Sequence, residues 1–191
     1  MKTRTITGLA ILTALTIVLQ IIGNFVPMGP VSITLALIPV AVGAMMYGPL
    51  AGAFLGLVMG SMTLFAPSTL AVFMPVSVGG TIATCLVKTT LAGLIVGFIF
   101  KLLYKKNFLL AVILTSVLLP ILNTGFFVGF AFLFFISVMQ DLAQKAGVVD
   151  WVSFFFLVMI GWNFLLELTI NSALSPALYR LLKSKQFEKY F

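Results

Sequence analysis

The stretch Val78–Leu103 reads VGGTIATCLVKTTLAGLIVGFIFKLL. It is one apolar run with Lys88 near its middle and Lys101 at its end. About 20 apolar residues in a helix cross the hydrocarbon of a bilayer, so this run is read as a transmembrane helix. The run Trp151–Leu178 repeats the pattern, with Glu167 inside it. A charge in the hydrocarbon region costs about 2.5–3.5 kcal/mol on insertion scales, so Lys88 and Glu167 are read first as functional groups. The whole chain fits that setting. Hydrophobic residues make up 62% of it and charged residues 8%, and the mean hydropathy is +1.25. The fold class is therefore an all-α integral membrane protein.

Working outward from this helix, five interruptions divide the remaining apolar sequence. They are Asn24–Pro30, the tight turn Tyr47-Gly48-Pro49, Ala66–Ser77 with Pro67 and Pro75, the basic turn Lys105-Lys106-Asn107, and Met139–Asp150. The spacing predicts six transmembrane helices, near 5–23, 32–47, 49–66, 78–104, 108–138 and 151–182, in a single domain over 1–191. The second and third are short. The last three are long, so they must tilt, kink or project, and Pro120 is the expected kink. Lys2 and Arg4 ahead of Ile6–Ile22 imitate a signal peptide, but Gly23-Asn24-Phe25 is a poor cleavage site, and the segment is kept as a helix.

Nine of the eleven basic residues (Lys2, Arg4, Lys101, Lys105, Lys106, Arg180, Lys183, Lys185, Lys189) fall on one side of this layout. The opposite loops hold only Lys145. Both termini are therefore expected in the cytoplasm. The loops 24–31, 66–77 and 139–150 then form a lid on the outer side.

The same charges exclude other classes. A net charge of +7 suggests nucleic acid, but the basic residues flank apolar runs as membrane anchors do. Cys85 is the only cysteine and there is no histidine, so neither a disulfide nor the usual metal and proton-shuttle ligands are available. No G-x-x-x-x-G-K-[ST] loop occurs, so the chain does not hydrolyse ATP by that route. No enzyme, metal or cofactor is expected. Six helices are also few for a secondary transporter built from two repeats. A binder energised by partner subunits fits better.

Depth singles out a polar belt. Lys88 lies 13 residues from Lys101, about 20 Å above the basic anchor at helical rise. Asn123 is 15 residues from Phe108, and Glu167 is 13 from Arg180, which places both in the same slab, about 20 Å up. Asn163, Glu167 and Asn171 are spaced i, i+4, i+8 and share one helix face, with Trp162 beside it. The functional reading makes Lys88 a counter-ion for an anionic ligand group. Asn123 and Asn163 then hydrogen-bond the ligand, Glu167 holds Lys88 or accepts from the ligand, and Phe126, Phe127 and Trp162 supply an apolar wall. The structural reading is a Lys88–Glu167 pair that ties two helices together, with the asparagines as interhelical hydrogen bonds.

Small residues recur four apart at Gly52, Gly56 and Gly60, and again at Gly93 and Gly97. These are read as internal helix packing. Ala10 and Ala14 make a smooth stripe on the first helix.

With these residues placed, the chain resembles the S-component, the membrane-embedded substrate-binding subunit, of an energy-coupling factor (ECF) vitamin transporter. Six helices, basic ends, Ala10-xxx-Ala14 and the run Ile33–Gly56 (ITLALIPVAVGAMMYGPLAGAFLG) carry the likeness. It covers nearly the whole chain and is sharpest across 33–60 and Thr84–Leu103. The resemblance implies high-affinity binding of one vitamin in an outward-facing pocket formed by the outer loops and the fourth to sixth helices. It also implies docking on a transmembrane T-component that carries two ATPase subunits, through a surface that maps to Ala10 and Ala14. Transport in the family is attributed to toppling of the S-component. The setting is a prokaryotic plasma membrane.

The branch it most resembles is the pantothenate-specific one. Pantothenate offers a carboxylate to Lys88 and amide and hydroxyl groups to Asn123 and Asn163. Hydroxymethylpyrimidine, folate and riboflavin are alternative ligands. Outside the family, an autonomous ion-coupled carrier using Lys88 and Glu167, or a ligand-free membrane scaffold, remain alternatives.

Overall fold

In hydrocarbon only a helix or a closed barrel satisfies its own backbone, and the apolar runs here obey that constraint. The computed structural model describes residues 3–25, 27–28, 31–32 and 34–183. Helix α1 spans Thr3–Asn24, and Pro27–Met28 (β1) pairs antiparallel with Val31–Ser32 (β2). Then follow α2 (Leu37–Tyr47), α3 (Pro49–Leu64), a π-helical turn at Thr69–Phe73, α4 (Val78–Leu103), α5 (Phe108–Phe134) and α6 (Ile136–Lys145). The chain ends in one helical rod made of α7 (Trp151–Phe154), a π-helical stretch Phe155–Gly161 and α8 (Trp162–Leu182). Lys2, Lys185 and Lys189 of the charge count, and Pro30 and Ile33 of the quoted motifs, lie outside the described residues.

Four elements are long and apolar enough to cross a membrane: α1, α4, α5 and the rod Trp151–Leu182. Helices α2 and α3 are apolar but shorter, with 11 and 16 residues, hence about 17 and 24 Å long. Large apolar side chains such as Leu50, Phe65, Leu102, Leu133 and Leu157 point outward all around the bundle. With four such spans, this is a multi-pass membrane protein.

Side-chain caps fix several helix starts. Ser77 accepts from the Gly80 N–H, Asn107 from the Leu110 N–H and Asp150 from the Val152 N–H, each satisfying an otherwise orphaned donor. Between α2 and α3, Gly48 takes φ +90° and Pro49 follows at the first helical turn, where its missing N–H costs nothing.

Three expectations need correction. The second helix starts at Leu37, not near 32, because Val31–Ser32 pairs with Pro27–Met28 instead. The fifth does not run to 138. Phe135, at φ −130°, leaves the helical region, and the chain restarts as α6. Consequently most of the expected 139–150 loop is helix. Its α6 is amphipathic: Val138, Met139 and Ala143 are buried, while Asp141 and Lys145 pair on the exposed face at 2.7 Å. Helix α5 itself continues through Pro120.

The glycine motifs fit α3 against α4 in antiparallel contact. A methyl group at Gly52 would collide with the Gly93 carbonyl, at Gly56 with the Thr89 carbonyl, and at Gly60 with the Cys85 carbonyl. From the other side, Gly93 abuts the Gly52 carbonyl and Gly97 abuts Pro49. Backbone meets backbone along the whole of α3, which is what small-xxx-small spacing permits in a membrane.

Two apolar cores result. One holds α2 at its centre, with Leu37, Val40 and Ala44 against Leu55, Val96, Leu119 and Leu182. The other joins Phe73, Ala131, Phe135, Met139 and Phe155. Helix α5 passes from the first core at Leu119 to the second at Ala131. Asn123 falls between them.

Candidate functional site

The interval between the two cores is a cavity of about 70 Å³. Four regions of the bundle supply its polar groups. The glycine contact positions α4 first: Cys85 and Thr89 face α3, and the Thr89 hydroxyl donates to the Cys85 carbonyl at 3.0 Å. Lys88, one residue before Thr89, is turned about 100° away from that contact and lines the cavity. Its Nζ lies 5.0 Å from the centroid of the Phe127 ring, a cation–π distance. Among the described residues Lys88 has no ion-pair partner within 4 Å.

Helix α5 contributes Asn123, Thr124 and Phe127. Asn123 is buried, and its Oδ1 has no hydrogen-bond partner among the described residues. From α8 comes Asn163, whose Nδ2 donates to Glu167 Oε1 at 3.1 Å. Because a carboxylate oxygen can only accept, the amide nitrogen must face Glu167, and the unpartnered Oδ1 faces away from it. The fourth region is α1, which brings Gln20 and Asn24. Thr34, Thr63, Ser68, Phe73 and Ile160 complete the wall.

The sequence belt is thus partly brought together. Lys88, Asn123, Phe127 and Asn163 share one cavity. Glu167 is not on its wall. It lies behind Asn163, 2% exposed, where Oε1 also accepts the Thr34 N–H at 3.2 Å, so it fastens the chain ahead of α2 to α8. It makes no ion pair with Lys88, which removes the tie between helices expected from the structural reading. Asn171 donates to the Glu167 backbone carbonyl at 2.8 Å and continues the polar face below.

Trp162 and Phe126 are corrections to the expected apolar wall. Trp162 is 68% exposed on the outside of the bundle, because adjacent helix positions point about 100° apart and Asn163 takes the inward direction. Phe126 packs on the core around α2. Phe73 and Ile160, with Phe127, take the place given to them.

Sequence reasoning passed over Gln20, Asn24, Thr34, Thr63, Ser68, Phe73, Thr124 and Ile160. Gln20 carried a usable signal, as the one amide within the Ile6–Ile22 run. Ser68 and Phe73 carried none, since they reach the cavity through the fold of a segment that read as a loop, and Thr34 carried none in a stretch read as the start of the second helix. On the outside of α1, Ala10 and Ala14 are exposed.

The family model for the ECF transporter substrate-specific component matches residues 4–179. The chain belongs to that family. No match is found among curated proteins or among solved structures. As an ECF S-component it is a substrate-binding membrane subunit of an uptake transporter, working with a T-component and ATPases. The cavity gathers Lys88 with Gln20, Asn123 and Asn163, whose buried side-chain oxygens lack a partner among the described residues.

Proposed function

We propose that this S-component captures pantothenate in the cavity around Lys88. The observation that carries the reading is the lysine itself: an ammonium on the cavity wall, over an aromatic face, with no ion-pair partner within 4 Å among the described residues. An unpaired charge at membrane depth is costly, and a ligand carboxylate relieves that cost. Asn123 and Asn163 hold hydroxyl and amide groups of the ligand, and Phe127 with Phe73 contacts its dimethyl carbon. Glu167 acts from behind by holding Asn163. Trp162 takes no part in this site.

In the same reading, α1, α2, α3, α4, α5 and the rod Trp151–Leu182 are six spans, both termini are cytoplasmic, and the cavity opens outward in a prokaryotic plasma membrane. The excess of lysine and arginine on one side supports this orientation. Ala10 and Ala14, exposed on α1, dock on the T-component, and two ATPase subunits supply the energy.

The test is calorimetric titration of the purified chain with pantothenate, hydroxymethylpyrimidine, folate and riboflavin, beside Lys88→Ala. Pantothenate binding that is lost in the variant is the expected result. Tight binding of another panel member in place of pantothenate replaces the ligand and keeps the S-component assignment.

A further inference from the structure

Gln20 is 2% exposed in α1 and lines the cavity, although α1 is otherwise an apolar helix with an exposed outer face. Its side-chain orientation is fixed by a chain of contacts that ends on backbone. The Met62 carbonyl at the end of α3 can only accept, so Asn24 must present its Nδ2 there, at 3.2 Å. Asn24 Oδ1 is then left to accept from Gln20 Nε2, at 2.9 Å. Gln20 Oε1 is in turn left over, buried and without a partner among the described residues. Reversing the Gln20 amide loses its bond to Asn24, or, if Asn24 reverses with it, the bond from Asn24 to Met62.

Two more unpartnered acceptors stand on the same wall, Asn163 Oδ1 and Asn123 Oδ1. Gln20, Asn123 and Asn163 therefore line the cavity beside Lys88, each with a buried side-chain oxygen that has no partner among the described residues. Buried acceptors left unpaired are rare and costly, so the set defines what completes it: an anionic molecule that also carries several hydroxyl or amide donors. We infer that Gln20 on α1 is a substrate-binding residue, whose Oε1 accepts a hydrogen bond from a hydroxyl or amide N–H of that donor-rich acid. The inference rests on the reading of this cavity as the vitamin site. Pantothenate has the required complement, a carboxylate with a primary and a secondary hydroxyl and a secondary amide.

The experiment is titration of wild-type chain and Gln20→Met with pantothenate and with three analogues. Two analogues each lack one hydroxyl, and the third is methylated on the amide nitrogen. Gln20→Met is expected to weaken pantothenate binding roughly 10- to 100-fold, since it leaves a ligand donor unpaired. That loss should disappear for the one analogue whose missing donor Gln20 reads. Equal affinity of the two proteins overturns the inference, as does an equal loss for pantothenate and every analogue, which marks a structural role. If Gln20→Met does not accumulate folded, Gln20→Asn, which withdraws the amide by one methylene, is held to the same pattern. If wild-type protein ignores pantothenate and binds another vitamin of the panel, the pantothenate reading fails, and Gln20 is judged on that vitamin and its donor-deleted analogues. No binding of any panel member overturns both.

Discussion

At the residue scale, the site is a set of polar groups whose partners within the protein are incomplete. Lys88 Nζ has the Phe127 ring and, among the described residues, no ion-pair partner within 4 Å, so Lys88→Ala should weaken binding of an acidic ligand by about 2–5 kcal/mol, the usual loss when one member of a desolvated charge pair is removed. Titration checks it directly. Glu167 separates a relay from a brace. Its Oε1 accepts from Thr34 and Asn163, and a glutamine oxygen accepts equally well, so Glu167→Gln should change ligand affinity by no more than about 1 kcal/mol. Glu167→Ala releases Asn163 and should cost more than that. Loss of function in Glu167→Gln as severe as in Glu167→Ala would mean that the carboxylate charge itself is used. Lys88, Asn123 and Asn163 were legible in the sequence because an amide or ammonium deep in an apolar run is costly until something pairs with it. Trp162 misled for the opposite reason, since proximity along a helix is not proximity in space.

At the element scale, the bundle depends on α3 lying directly on the α4 backbone. A Cβ at Gly56 would meet the Thr89 carbonyl oxygen and carbon, and backbone cannot step aside as a flexible side chain can. Gly56→Ala should therefore cost about 1–3 kcal/mol, read as a lower melting temperature in detergent. Weaker ligand binding should accompany it, since Thr89 adjoins Lys88. Helix α1 presents Ala10 and Ala14 outward. Ala14→Trp should reduce copurification of the T-component and its ATPases while leaving ligand titration unchanged. The entry to the terminal rod titrates. The Ser153 hydroxyl donates to the Asp150 carboxylate, with further help from the Val152 and Ser153 N–H groups, and holds it below the ordinary carboxyl range. With the folded value depressed, the cap is fully present above the unfolded carboxyl pKa, about 4, and is lost as pH falls through the lower folded value. Amide hydrogen exchange at Val152 should accelerate below about pH 4, and Asp150→Asn should abolish most of that dependence. The glycine spacing was legible as packing, but not its partner. One helix's periodicity says nothing about which neighbour it meets.

At the scale of the whole molecule, the orientation yields a further test. Single cysteines placed at Lys106 and Lys145 in a Cys85→Ser background should differ in intact cells. A membrane-impermeant maleimide should modify position 145 and spare position 106; the reverse result inverts the topology. Length, hydropathy and basic clustering sufficed to read the apolar helices and their main breaks, while the family was read as a resemblance carried by Ala10-xxx-Ala14 and the run Ile33–Gly56. These properties belong to local stretches of chain, because a bilayer imposes the same length and polarity on any segment that crosses it. The break at Phe135 and the helix at Ile136–Lys145 escaped that reading, since a short amphipathic segment gains its helix from the apolar surface it lands on. The cavity was decided only in three dimensions. Gln20, Lys88, Asn123 and Asn163 lie on four helices far apart in sequence, and sequence fixes their depth but not their direction. Direction comes from the glycine contact of α3 with α4, and from hydrogen bonds that turn the Gln20 and Asn163 amides by leaving each one compatible partner. Which residues are polar and how deep they lie is a property of the chain; which of them face one another depends on how the helices rotate as they pack.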